Sequence, residues 1–126
     1  MRVALRRLLA VLMLAVGLFG GVGITAPTAG ALGWGAIAIS PDTGRVGYSK
    51  GLNSAADAQQ AAIGLCNKRD CRAVLNFTNA CGAVAQSRDT SWGWGQDHSS
   101  AGAANRALTS CSRYGAGCRV VGWVCS

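Results

Sequence analysis

The chain of 126 residues repeats itself. Gly35-Ala36-Ile37-Ala38, followed by Ser40, Asp42 and Thr43, recurs 47 residues later as Gly82-Ala83-Val84-Ala85, followed by Ser87, Asp89 and Thr90. Ser54, Ala56, Ala58, Ala62 and Cys66 recur after 45 residues as Ser99, Ala101, Ala103, Ala107 and Cys111. Cys71-Arg72 with Val74 recurs after 47 as Cys118-Arg119 with Val121. An offset that changes by two is expected to change only in the connections. Two like supersecondary units must then lie against each other, since each alone leaves an apolar face uncovered.

Each unit begins with a short apolar run, turns at an Asp-Thr pair, and enters a second strand at Arg45 to Ser49 or Ser91 to Gly95. A helix follows over 55–66 in the first unit. Ser54 is its N-cap, Asp57 stands three residues on, and Ala58, Ala62 and Leu65 share one face. In the second unit Ser99 caps a helix over 100–111, which Gly102 weakens because it replaces the reciprocal-cap acid of the first unit. A third strand, Arg72 to Phe77 or Arg119 to Val124, closes each unit. The fold class is therefore α+β, two tandem ββαβ pseudo-repeats of about 34–80 and 81–126 around one core. Alanine faces let helix and sheet approach closely but bury little area per residue, which leaves a thin core.

The segment before these units differs in kind. Met1 to Arg7 holds Arg2, Arg6 and Arg7 and no acid, Leu8 to Ile24 is uncharged and mostly apolar, and Ala29-Gly30-Ala31 offers small residues for cleavage. Residues 1–31 thus read as a cleaved secretory signal peptide. A signal anchor is the competing reading, weakened by Gly17, Gly20, Gly21 and Gly23. The residues around Arg6-Arg7 do not complete a twin-arginine signal. The first cysteine is Cys66, so no acylation site lies near the new amino terminus, and 32–126 is expected to be released as a single domain with no stable membrane insertion.

That segment carries nine Lys/Arg against five Asp, a formal +4 compared with +7 for the whole chain. The basic residues are spread over both halves, unlike the basic stripe of a nucleic-acid binder, so no nucleic-acid partner is expected. All six cysteines lie in it, spaced by five, ten, thirty, seven and seven residues. An even count in an exported chain reads as a disulfide framework. A zinc site would want closer pairs, so no metal and no other cofactor is expected.

The repeat also narrows the 15 pairings that six cysteines allow. Cys66 and Cys71 flank the turn after the first helix, and Cys111 and Cys118 occupy the same two places in the second unit, so each pair is expected to close a local loop. Cys81 and Cys125 then remain, and their bond ties the carboxyl end to the middle of the chain.

Trp34-Gly-Ala-Ile-Ala-Ile-Ser, the run Cys71-Arg-Ala-Val-Leu-Asn-Phe-Thr-Asn-Ala-Cys-Gly-Ala-Val-Ala85 and the closing Gly122-Trp-Val-Cys-Ser126 resemble the secreted bacterial family known as domain of unknown function 4189, common in mycobacteria and related actinobacteria. The resemblance spans nearly all of 32–126 and implies export and action at the envelope or on a host. It also implies cysteines at the places of Cys66, Cys71, Cys81 and Cys125, with Cys111 and Cys118 as additions in this chain. It supplies no catalytic residue.

No catalytic constellation emerges from the residues themselves. His98 stands beside Asp97, Ser99 and Ser100, but relay groups converge from separate segments, and Ser99 already has a capping role. Asp42 and Asp89 sit at equivalent turns, where bonding to their own backbone is the ordinary role. Trp92 and Trp94 alternate with Gly93 and Gly95, so both indoles project from one strand face. They form either a stacking platform for a sugar or protein or, as we favour, core filling together with Trp34, Tyr48 and Trp123. Lys68, Arg69 and Arg72 surround the first local loop, and Arg113 and Arg119 the second, as candidate contacts for an anionic polymer or lipid or as solubilising charges near helix ends. Asn76-Phe77-Thr78 matches a glycosylation acceptor by chance in a chain of bacterial character. The expected function is non-enzymatic binding of an unknown protein or envelope polymer by a secreted domain, with Trp92, Trp94 and the basic loops as contact surfaces. Inhibition of a secreted hydrolase is the alternative, and a small hydrolase centred on His98 the remote one.

Overall fold

The computed structural model describes residues 33–126, and the expected signal segment lies outside them. The first unit comprises β1 (Trp34–Ile39), β2 (Val46–Leu52), α1 (Ala55–Cys66) and β3 (Arg72–Thr78). The second comprises β4 (Cys81–Gln86), β5 (Trp92–Asp97), α2 (Ser100–Ser112) and β6 (Arg119–Cys125). Each unit forms a three-stranded antiparallel sheet, ordered β2-β1-β3 and β5-β4-β6, so the architecture is α+β and built of two ββαβ units.

Alternation along the central strands explains the layering. Ala36 and Ala38 of β1 face α1 and pack on Ala58, Ala62 and Cys66, while Cys81, Ala83 and Ala85 of β4 do the same against Ala103, Ala107 and Cys111. The intervening Ile37, Ile39 and Val84 point the other way and meet between the sheets, together with Phe77. The order is helix, sheet, sheet, helix. The two units share the inter-sheet core, and each keeps an alanine layer under its own helix. Gly47 and Gly93 hold equivalent places in β2 and β5, and a side chain on either would run into the helix backbone at Ala62 and Cys66 or at Ala107 and Cys111. Helix and strand therefore lie closer than side chains permit, consistent with the small area available in these layers.

The repeat extends to irregularities. A bulge between Ile37 and Ala38 in the β1–β3 pairing recurs between Val84 and Ala85 in the β4–β6 pairing. One expectation needs correction, because the change of offset is not confined to connections. Between Trp34 and Ala36 the β1–β2 register shifts, whereas β4 and β5 pair without interruption. The extra residue falls near Gly51, whose φ of +73° is the left-handed conformation that a glycine-type bulge uses. This bulge also carries β2 on to Leu52, beyond the expected end at Ser49.

Leu65 departs from expectation too. It is 60% exposed, and Cys66 takes the third buried place on α1 after Ala58 and Ala62. A spacing of four from Ala58 to Ala62 and then to Cys66 keeps one face, and the buried Cys66 is bonded to Cys71.

The disulfides join Cys66 to Cys71, Cys111 to Cys118 and Cys81 to Cys125. The last pair are register partners on β4 and β6, with Cα atoms 3.9 Å apart, so this bond staples two strands of one sheet. Three disulfides belong to an oxidising, extracytoplasmic compartment. Among the described residues no helix is long and apolar enough to cross a membrane.

Candidate binding surface

Trp92 and Trp94 project from the β5 face that meets the other sheet and pack on the inter-sheet core, where their counterparts in the first unit are Val46 and Tyr48. They are half-buried and do not form an open platform. The Trp92 Nε1–H is buried with no acceptor, so its role there is packing. Tyr48 reaches across the units, its hydroxyl above Gly122, and burial raises its pKa. Trp123 does not join the core as expected. It lies 46% exposed on β6, with Val121 at 40%, because its register partner Ala83 sits on the α2 side of the sheet and the helix does not extend over the β6 edge.

The residues around His98 serve the start of α2. Ser99 Oγ accepts the Gly102 N–H at 3.0 Å, and Asp97 Oδ2 accepts both the N–H and the hydroxyl of Ser99 at 3.3 Å. The reciprocal cap expected to be lost at Gly102 is thus supplied from upstream by Asp97. Those bonds, the Ser99 N–H first, hold the Asp97 carboxyl below the usual carboxylate range, and Arg106 Nε lies 3.5 Å from Oδ1. His98 is exposed beside Ala80, Gln96 and Arg106.

The two Asp-Thr turns are held differently. In the first unit the buried Ser40 hydroxyl donates to Asp70 Oδ1 at 2.5 Å, and the Asp42 N–H donates to Asp70 Oδ2 at 2.9 Å. The carboxylate holding this turn therefore comes from the loop before β3, instead of from Asp42 as the turn pattern implied. Gly117 stands at the place of Asp70 in the second unit, where Asp89 accepts from the Ser87 hydroxyl of its own turn. Both carboxyls are held below their ordinary value, chiefly by the serine hydroxyls.

The basic residues do not converge. Lys68 and Arg69 border a shallow depression with Ile63, Gly64 and Asn67 after α1, and Arg72 is exposed at the start of β3. Arg119 borders a second depression with Arg88, Thr90 and Gly117. Arg113 borders a third feature, a groove of about 490 Å³ between α2 and the edge strand β5. Trp94, Gly95 and Gln96 line it from the strand, and Asn105, Arg106, Thr109, Ser110 and Arg113 from the helix. Sequence reading did not pick out Arg106, although its spacing of seven from Arg113 on a helix was the available signal, since seven residues make nearly two turns and return to the same face.

The residues that line this groove are not shared by the first unit. At the positions of Arg106, Thr109 and Ser110 the first helix has Ala61, Gly64 and Leu65, while the buried alanines and cysteines are the same in both. Gly95 replaces Ser49, and a side chain there would strike Arg106 and Ala107.

These features define a small disulfide-stapled α+β domain of paired ββαβ units, suited to an oxidising compartment. The chain belongs to the family described as domain of unknown function (DUF4189), which matches residues 34–125. It is similar to Rv1813c from Mycobacterium tuberculosis, a structure determined by NMR, at 28% identity and a TM-score of 0.59, over 84% of this chain and 82% of that one. A comparison with curated proteins returns no match.

Proposed function

We propose that this protein is a secreted, non-enzymatic binding module whose contact surface is the α2–β5 groove, and that its partner is anionic and lies at the envelope or a host surface. The observation that carries this reading is the divergence of the two helices. The units share the residues that pack, yet α2 and its C-cap present two arginines, Arg106 and Arg113, with amide and hydroxyl side chains toward a groove, where α1 has Ala61, Gly64 and Leu65. Arginine forks recognise carboxylate and phosphate with two parallel hydrogen bonds, and Arg113 has no ion-pair partner among the described residues. A disulfide-locked scaffold presents such groups with little ordering cost on binding.

The experiment is capture from envelope fractions and host-cell lysate by the oxidised protein, beside a reduced and alkylated control. The reading expects a partner retained by the oxidised form and lost with Arg106→Ala plus Arg113→Ala. Retention that survives both replacements would place the contact elsewhere and overturn the assignment to this groove.

A further inference from the structure

Resting on that reading, we infer that the ligand of the α2–β5 groove is an acidic glycan, its carboxylate or phosphate groups held by Arg106 and Arg113 and its hydroxyls by Asn105, Thr109 and Ser110. The α2 surface between the arginines decides the class. Arg106 and Arg113 are seven residues apart on one helical face, so their stems are separated by about 10 Å at the ordinary rise per residue. That separation is of the order of one disaccharide, so a polyuronide with an acid on each residue meets the two arginines with the carboxylates of every second sugar.

Between the arginines the wall is made of neutral side chains able to donate and accept, Thr109 and Ser110 from α2, with Asn105 at one end. Sugar hydroxyls need both capacities at once. On this helix the apolar side chains are turned inward on β4, and Trp94, which also borders the groove, packs on the inter-sheet core, so the helix wall offers a ligand polar groups in place of an apolar anchor pocket. Asp97 adds direction. Its carboxylate engages Arg106 Nε at 3.5 Å at one end of the groove, which leaves the terminal guanidinium nitrogens for a ligand and repels an anion placed beyond them. Arg113 at the other end is unencumbered, so the anionic chain is expected to run from Arg106 toward Arg113 along the helix.

The test is an NMR titration of the isotopically labelled oxidised protein with oligogalacturonate and with phosphomannan oligosaccharides. Methyl-esterified oligogalacturonate is the neutral control and poly-aspartate the anionic control without sugar. Saturable shifts confined to 94–96 and 105–113 are expected with one or both acidic glycans, absent with the ester, and weakened about tenfold by Arg113→Gln. Thr109→Val should weaken the glycan several-fold and leave poly-aspartate unchanged; the unchanged remainder of each spectrum shows that the variants fold. Equal binding of poly-aspartate, indifferent to Thr109→Val, would overturn the glycan assignment while leaving an anion-binding module in place. No saturable shift with either glycan overturns it as well, and the capture experiment then decides separately whether the groove binds another anionic partner.

Discussion

The carboxylate of Asp97 occupies the space in which a side chain on Gly102 would begin. Glycine in the first turn of α2 is therefore a condition of the capping arrangement and not a defect in the helix. Alanine in place of an unconstrained helical glycine stabilises by about 1 kcal/mol. Here Gly102→Ala is expected to destabilise by about 1–2 kcal/mol, because it displaces Asp97 from the Ser99 N–H. In an Asp97→Ala background the same change should become neutral or favourable. Urea denaturation of the four proteins of this cycle checks it, and stabilisation by alanine in both backgrounds would show that the two groups do not compete.

The disulfides should differ in their contributions. Cys81–Cys125 spans 44 residues and Cys66–Cys71 only five. On the chain-entropy model these loops correspond to about 4 and about 2 kcal/mol. Replacing both Cys81 and Cys125 by alanine is accordingly expected to lower the urea midpoint further than replacing both Cys66 and Cys71. The reverse order would mean that the local loop constrains α1 in a way the entropy model omits.

Among the tryptophans, position in the layers sets the cost of truncation. Trp92→Ala and Trp94→Ala open the inter-sheet core and should each cost about 3–5 kcal/mol. Trp123→Asn places on β6 the residue that the first unit carries at the same point of β3, Asn76, and exposure of the indole limits the loss to about 1 kcal/mol or less. Thermal unfolding of the three variants distinguishes these roles.

Acid should destabilise the fold through three carboxylates. Asp70, Asp89 and Asp97 are all held below the ordinary value of 3.8 by hydrogen bonds to their charged forms. A depressed folded-state pKa means that the unfolded chain takes up protons first as pH falls. The contribution is then fully present above about pH 5 and is lost progressively below about pH 4. A thermal midpoint flat from pH 5 to 7 and falling below pH 4 is expected, with a shallower fall in Asp70→Asn. An acid limb identical in that variant would remove Asp70 from the account.

Much of this architecture is legible in the residues because the repeat states it twice. Alanines at spacing four on each helix and alternation on β1 and β4 identify the layers, and Ser54 and Ser99 mark both helix starts within a residue. What escaped reading is what the units do not share. A single-residue bulge at Gly51 looks like a longer connection, since periodicity alone cannot separate an inserted strand residue from a loop. Asp70 gives no sign that it serves a turn 28 residues earlier in the chain. Trp123 has the composition of a core residue and lies outside because the helix ends short of the β6 edge, a fact of packing. The groove was half visible in Arg113 and needed the α2 face to bring Arg106 beside it.

The most direct test of the central claim uses the repeat as its own control. Lys68 and Arg113 hold equivalent positions after the two helices, both are exposed, and both carry a positive charge, but only Arg113 borders the α2–β5 groove. Retention of the oxidised protein on an envelope fraction should be compared for Lys68→Ala and Arg113→Ala. The account predicts that Arg113→Ala loses most of the retention while Lys68→Ala keeps it. Equal losses in the two variants would contradict it, because net charge and not the groove would then hold the partner.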